Sequence, residues 1–183
     1  MIFNTHIENG TFPSSLKVAR VTPLYKAGPH TMATNYRPIS VLSPIAKVFE
    51  KIIYSRLNSF FIRNNIICEE QFGFRRGHST SLAIADIYSN ILDNLDRKNC
   101  TCAVFLDLKN TYDTINHDIL LQKRCKYGIR GKASDLMKSY LTNRIQYTVV
   151  DNVVSNPRPI KIGIPEGSTL CPFLFIVYIN DLP

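Results

Sequence analysis

The sequence predicts an α+β fold, and three observations carry that prediction. Ile45, Val48, Phe49, Ile52, Ile53, Leu57, Phe60 and Phe61 recur at the 3.6-residue period of a helix with one apolar face. Ile145, Tyr147 and Val149 alternate as a half-buried strand, and Asp151-Asn152 marks a turn into a second strand. The order mixes helices with hairpins and repeats no strand-helix unit, which argues against a parallel α/β sheet. With 183 residues, 45% hydrophobic and 20% charged, the chain can bury one sizeable core. It is one domain by length, or a large piece of one.

In chain order, Ser15 to Tyr25 places Val18, Val21 and Leu24 among basic residues and reads as extended, with Pro23 marking an edge or end. Gly28 to Thr34 is a loop, and Arg37-Pro38 forces extended backbone because the residue before proline avoids the helical region. Ser43 suits the cap of the first clear helix and Pro44 its first turn. Lys47, Glu50, Lys51, Arg56 and Arg63 fall largely off the apolar face. Gln71 to Gly77 is a glycine-bounded loop or short strand. Ser79 or Thr80 opens a helix through Leu82, Ala85, Tyr88, Ile91, Leu92 and Leu95. An apolar strand is expected from Cys102 to Leu108, then helices from about Asp118 to Tyr127 and Lys132 to Asn143. Ser168 is expected to cap a last helix through Leu170, Phe173, Leu174 and Val177.

Charge narrows the class of partner. Lys+Arg 22 against Asp+Glu 14 gives net charge +8. Such an excess favours a polyanion, nucleic acid before an anionic membrane surface, or serves solubility alone. The five cysteines are odd in number and irregularly spaced, so they read as reduced thiols. No His pair stands at ligand spacing. The longest apolar run, Cys171 to Ile179, is far short of the ~20 residues of a membrane span. No secretory signal pattern opens the chain, and an intracellular protein of nucleus or cytoplasm is expected.

The run Ala103-Val104-Phe105-Leu106-Asp107 ends an apolar stretch in a carboxylate, with Tyr112 five residues on and Asp113 after it. A strand delivering an Asp at its end can hold a hard cation against phosphate, although such an Asp is also a turn former or cap. If the peptide bends there, Asp107 and Tyr112 face one site and Asp113 anchors the bend. Gly163-Ile164-Pro165-Glu166-Gly167-Ser168 lets backbone approach a ligand before a helix N-terminus, but no Gly-Lys-Ser/Thr follows, so it is not a P-loop. Arg75 and Arg76 beside Phe72 and Phe74 suit a triphosphate or a nucleic-acid backbone, solvated surface arginines being the alternative. The two rings are expected to be mostly buried.

In order, the chain carries Val18 to Lys26, Asn35-Tyr36-Arg37-Pro38-Ile39-Ser40, Gln71-Phe72-Gly73-Phe74-Arg75, Phe105-Leu106-Asp107 through His117, Gly163 to Ser168, and Tyr178-Ile179-Asn180-Asp181-Leu182. Along essentially its whole length this resembles the reverse transcriptase of non-LTR (LINE-type) retrotransposons. The resemblance implies a right-hand polymerase, with residues 1–100 as fingers and 101–183 as a partial, ferredoxin-like palm that lacks its later strands. Asp107 matches the first catalytic aspartate, which binds two Mg²⁺ ions, and the Leu108 carbonyl completes one ion's shell. Tyr112 matches the residue that stacks under the sugar and obstructs a 2′-hydroxyl. Arg75, Glu166 and Gly167 match nucleotide-binding positions. Lys26, Arg37, Arg76, Gly163 and Pro165 match template-binding ones. RNA template, DNA primer and dNTP are the implied partners.

The chain departs from the family pattern at Glu166, where glutamine is usual, at Cys171, where glycine is usual, and at Lys109-Asn110-Thr111, which replaces Ser-Lys-Ala. The family's Asp-Asp hairpin, with the other metal-binding carboxylates, is expected past Pro183. The sequence therefore predicts a polymerase domain whose activity lives in a longer parent and which is inactive as this chain. The alternatives are a nucleic-acid-binding remnant and a non-functional fossil.

Overall fold

The computed structural model describes residues 2–182, and it is mixed α+β. Helix α1 (Ile2–Asn9) leads through a short 3₁₀ turn into β1 (Val18–Tyr25), which pairs antiparallel with β2 (Tyr36–Val41). Then come α2 (Pro44–Arg63), α3 (Thr80–Asp96), α4 (His117–Lys126) and α5 (Gly131–Leu141). The chain closes with β3 (Arg144–Val150), β4 (Val153–Val154), β5 (Arg158–Ile160) and α6 (Cys171–Ile179). The sheet runs β2-β1-β3-β4, with β5 also on β3. β1 and β3 are parallel, Val18 opposite Ile145 and Val21 opposite Thr148. Between them the chain crosses over through α2 to α5, as a parallel pair requires. Asp151 and Asn152, at φ 47° and 65°, form the two-residue turn joining β3 to β4, the geometry that matches the twist of a hairpin.

α2 begins as its sequence dictates, with Pro44 in the first turn, although the Ser43 side chain makes no cap bond. Its buried stripe is Ala46, Phe49, Glu50, Ile53, Leu57 and Phe61. Ile45 and Val48, expected inside, are exposed, and Glu50, expected off the face, is 0% exposed. The apolar stripe is wide enough to be rotated by one position, and tertiary neighbours choose the rotation. Around Phe49 and Phe61 pack Phe3, stacked on Phe49 at 4.6 Å, and Phe173, edge-on to Phe61 at 5.0 Å. Leu120, Leu141, Leu170, Leu174 and Val177 complete this core.

Three further expectations are corrected. No strand forms over 102–108, and Val104, Phe105 and Leu106 are 79%, 83% and 86% exposed. A strand exists only by pairing, and among the described residues no strand pairs with this run. α3 forms as predicted and Ser79 Oγ caps it by accepting from the Leu82 N–H at 3.2 Å, yet none of its residues is buried. Ser168 does not cap α6, which starts three residues later; its hydroxyl is buried in a polar cluster instead. Phe74 is 62% exposed, not buried, and its backbone takes φ 55°. The five cysteines form no disulfide. No helix among the described residues is long and apolar enough to cross a membrane.

Candidate functional site

Residues 107–113 form a tight turn. The Thr111 hydroxyl donates to the Leu108 carbonyl at 2.7 Å, Asn110 takes φ 52°, and the Asp113 N–H donates to Asn110 O at 3.0 Å. This turn packs against the 163–168 loop through backbone bonds. The Gly163 N–H donates to Ile115 O and the Ile164 N–H to Tyr112 O, both at 2.8 Å. His117 Nε2 donates to Gly163 O at 2.7 Å, a contact with no sequence signal beyond the position of His117 at the start of α4. On its other side the loop meets β2, where the Ser40 N–H donates to Glu166 O at 2.7 Å.

Two glycines permit this fit. At Gly163, φ is 85° and a Cβ would stand 2.8 Å from the Asp113 backbone. At Gly167, φ is 113° and a Cβ would stand 2.5 Å from Ser40 O. Gly163 thus lies directly against the Asp113 backbone.

Between the β1–β2 hairpin, the 107–113 turn and the loop lies a cavity of about 340 Å³. It is lined by Lys26, Arg37, Asp107, Leu108, Tyr112, Asp113 and Glu166, among others. Pro38, Asp113 and Glu166 also border a neighbouring cavity of about 350 Å³ that holds Gly163 and Pro165. Gly167 lines a third hollow with Tyr112 and Glu166. Arg75 and Arg76 do not line these cavities. Arg75 instead donates to the Cys68 carbonyl at 3.1 Å, holding its own loop, and Arg76 is exposed.

Charge within the cavity is mixed. Arg37 Nε lies 3.5 Å from Glu166 Oε1. Burial pushes the Glu166 carboxyl above its usual value, with Arg37 opposing and Asp113 adding to the rise. Burial likewise raises Asp113. The Tyr112 ring is edge-on to Phe175 at 5.7 Å, and burial chiefly raises its phenol. The Asp107 carboxylate and Leu108 carbonyl offer hard oxygen donors. Among the described residues no three His, Cys, Asp or Glu side chains gather where a metal could be held. Those two donors therefore do not by themselves fit a two-ion centre, which needs several carboxylates.

Behind the loop lies a second polar group that the sequence did not signal as functional: Glu50, Tyr140, Arg144 and Ser168. A readable clue was present, since Glu50 stands four residues after Ala46 and three before Ile53, on the buried stripe.

Comparison with known proteins identifies relatives of the chain. The chain is 36% identical along its whole length to a probable RNA-directed DNA polymerase from transposon BS of Drosophila melanogaster. It is 34% identical to the corresponding probable enzyme of transposon X-element and 32% to the RNA-directed DNA polymerase of the mobile element jockey, from the same species. Each match covers 100% of this chain and 20% of the relative, so the chain spans about a fifth of their length. Residues 25–183 match the profile described as reverse transcriptase (RNA-dependent DNA polymerase). The chain therefore belongs to the reverse transcriptase family, and within it is homologous to the enzymes of non-LTR retrotransposons.

Proposed function

We propose that the 340 Å³ cavity is the place where this chain meets an incoming nucleotide and its template. The observation that carries the reading is convergence. Lys26, Arg37, Asp107, Tyr112 and Glu166 come from segments as much as 140 positions apart, and all line one hollow. Lys26 and Arg37 offer cations to phosphate, Arg37 with the planar fork suited to it. Tyr112 offers a ring face beneath a sugar. Asp107 and the Leu108 carbonyl are the donors for Mg²⁺, which supplies charge stabilisation in phosphoryl transfer when its ligand set is complete. Gly163, Pro165 and Gly167 bring loop backbone close to the base and template. In this reading residues 1–100 are fingers and 101–183 the first part of a palm. The substrates of the longer protein are an RNA template, a DNA primer and dNTP.

Because the described residues gather no three carboxylate, thiol or imidazole groups around a metal position, this reading gives the chain itself binding and orientation and leaves nucleotidyl transfer to a complete ligand set. The test is binding of a fluorescent dATP analogue and of single-stranded RNA. Lys26→Ala with Arg37→Ala should weaken both. If each residue contacts one phosphate, the log–log salt slope for RNA should fall by about 1.4, at ~0.7 per contact. An unchanged slope in a folded variant would remove these residues from the site. A second reading, nucleic-acid binding outside the cavity, is favoured by one observation: the exposed Phe74 ring beside exposed Arg76. Phe74→Ala should then cost RNA affinity, with stacking worth ~1–3 kcal/mol per base.

A further inference from the structure

The buried cluster behind the loop is built around one carboxylate. Glu50 of α2 is 0% exposed and Arg144, the first residue of β3, is 1% exposed. Glu50 Oε2 accepts from the Thr169 N–H at 2.8 Å and from the Ser168 hydroxyl at 2.9 Å. With its hydrogen so committed, Ser168 Oγ accepts from the Tyr140 hydroxyl at 2.7 Å and from the Leu170 N–H at 3.1 Å. Arg144 Nη1 donates to the Tyr140 carbonyl at 3.1 Å, and its guanidinium lies 4.7 Å from the centre of the Tyr140 ring. Three elements, α2, α5 and β3, therefore meet at the C-terminal end of the 163–168 loop.

Packing alone does not explain the cluster. Burying two charges is costly, and apolar side chains of similar volume often serve stability as well or better. What an apolar side chain cannot do is accept the Thr169 N–H and the Ser168 hydroxyl together. The loop is already fixed at Gly163 and Ile164 by the 107–113 turn, and at Glu166 by Ser40. Gly167 has no slack, being wedged against Ser40 O. A shift at Ser168 is therefore passed to Glu166, two residues away on the cavity wall.

We propose that Glu50 is a positioning residue for the 163–168 loop, with Tyr140 orienting its Ser168 partner and Arg144 bracing Tyr140 at its carbonyl and ring face. Its consequence for nucleotide binding rests on the reading of the cavity given above. Glu50 touches no substrate and acts only through the loop.

The test compares Glu50→Met/Arg144→Met with Glu50→Gln in the whole chain. The double variant removes both charges and keeps the volume, so its melting temperature should stay level or rise. Amide exchange should nonetheless quicken at least tenfold at Ser168 and Thr169, and not at core amides such as Leu174. The Kd for a fluorescent dATP analogue with Mg²⁺ should rise about tenfold. Glu50→Gln keeps an acceptor oxygen, and both readouts should return to within about threefold of the native chain. A folded double variant with native exchange at Thr169 would overturn the proposal even if nucleotide still binds. Conversely, a native chain that binds no nucleotide, with exchange responding as stated, would overturn the cavity reading and leave the anchor standing. Should the double variant not fold, Ser168→Ala must show the same local quickening, and native exchange there would overturn the proposal.

Discussion

The two walls of the cavity are made in opposite ways. The 163–168 loop is pinned by backbone bonds to Ile115, Tyr112 and Ser40, and backed by α2 and Glu50. The 103–108 run, which delivers Asp107 to the facing wall, pairs with no strand among the described residues and leaves Val104, Phe105 and Leu106 exposed. The same contrast separates α2, with six buried residues, from α3, with none. Both helices satisfy the same sequence rules. Amphipathic pattern therefore reports what a segment can bury, and only a partner decides whether it does.

The contrast can be broken most directly by truncating one ring on each side. Phe49→Ala should cost about 3–5 kcal/mol in urea unfolding, as for a fully buried aromatic ring. Phe105→Ala should stay within about 0.5 kcal/mol. Similar losses at both positions would mean that the 103–108 run is packed in solution.

Next in size is a glycine on each side. Gly167→Ala should destabilise by about 1–3 kcal/mol for its left-handed backbone, and more for the collision with Ser40 O. Gly77, at φ 78° with nothing within 4 Å of a Cβ, carries only the backbone penalty. If the two alanine variants melt together, the loop is not wedged against β2.

A smaller effect sharpens the comparison through pH. Burial raises the Glu50 carboxyl above 4.5, while its bonds to Ser168 and Thr169 and the charge of Arg144 oppose the rise. A carboxyl raised on folding stabilises fully below its unfolded value, and that contribution is lost as pH climbs through the folded one. Glu50→Gln cannot ionise. Its stability should therefore gain on the native chain as pH rises from 4.5, with Asp113 and Glu166 common to both chains and cancelling. A difference that stays flat up to pH 8 would mean that Glu50 ionises alike in the folded and unfolded chains.

Smallest is the surface-facing pair. Glu166→Gln releases Arg37 from a partly exposed ion pair, and such pairs are worth about 0–1 kcal/mol. Nucleotide affinity should tighten by no more than about fivefold. No change, or weaker binding, would place the triphosphate away from Arg37.

Much of this was legible in the residues alone. The helix at 44–63, the cap at Ser79, the turn at Asp151-Asn152 and the loop glycines each follow from local chemistry, because dihedral preference and periodicity act within a few residues. The ordered motifs named the family, and Asp107, Tyr112, Arg37, Lys26 and Glu166 do line one cavity. Tertiary structure alone decided that Glu50 turns inward while Ile45 and Val48 turn out, since the stripe admits more than one rotation and the donors at Ser168 and Thr169 lie 118 and 119 residues away. It alone decided that Arg75 braces its own loop outside the cavity. It alone left the 102–108 run unpaired, because a strand's hydrogen bonds are made with another segment and no local pattern contains that partner.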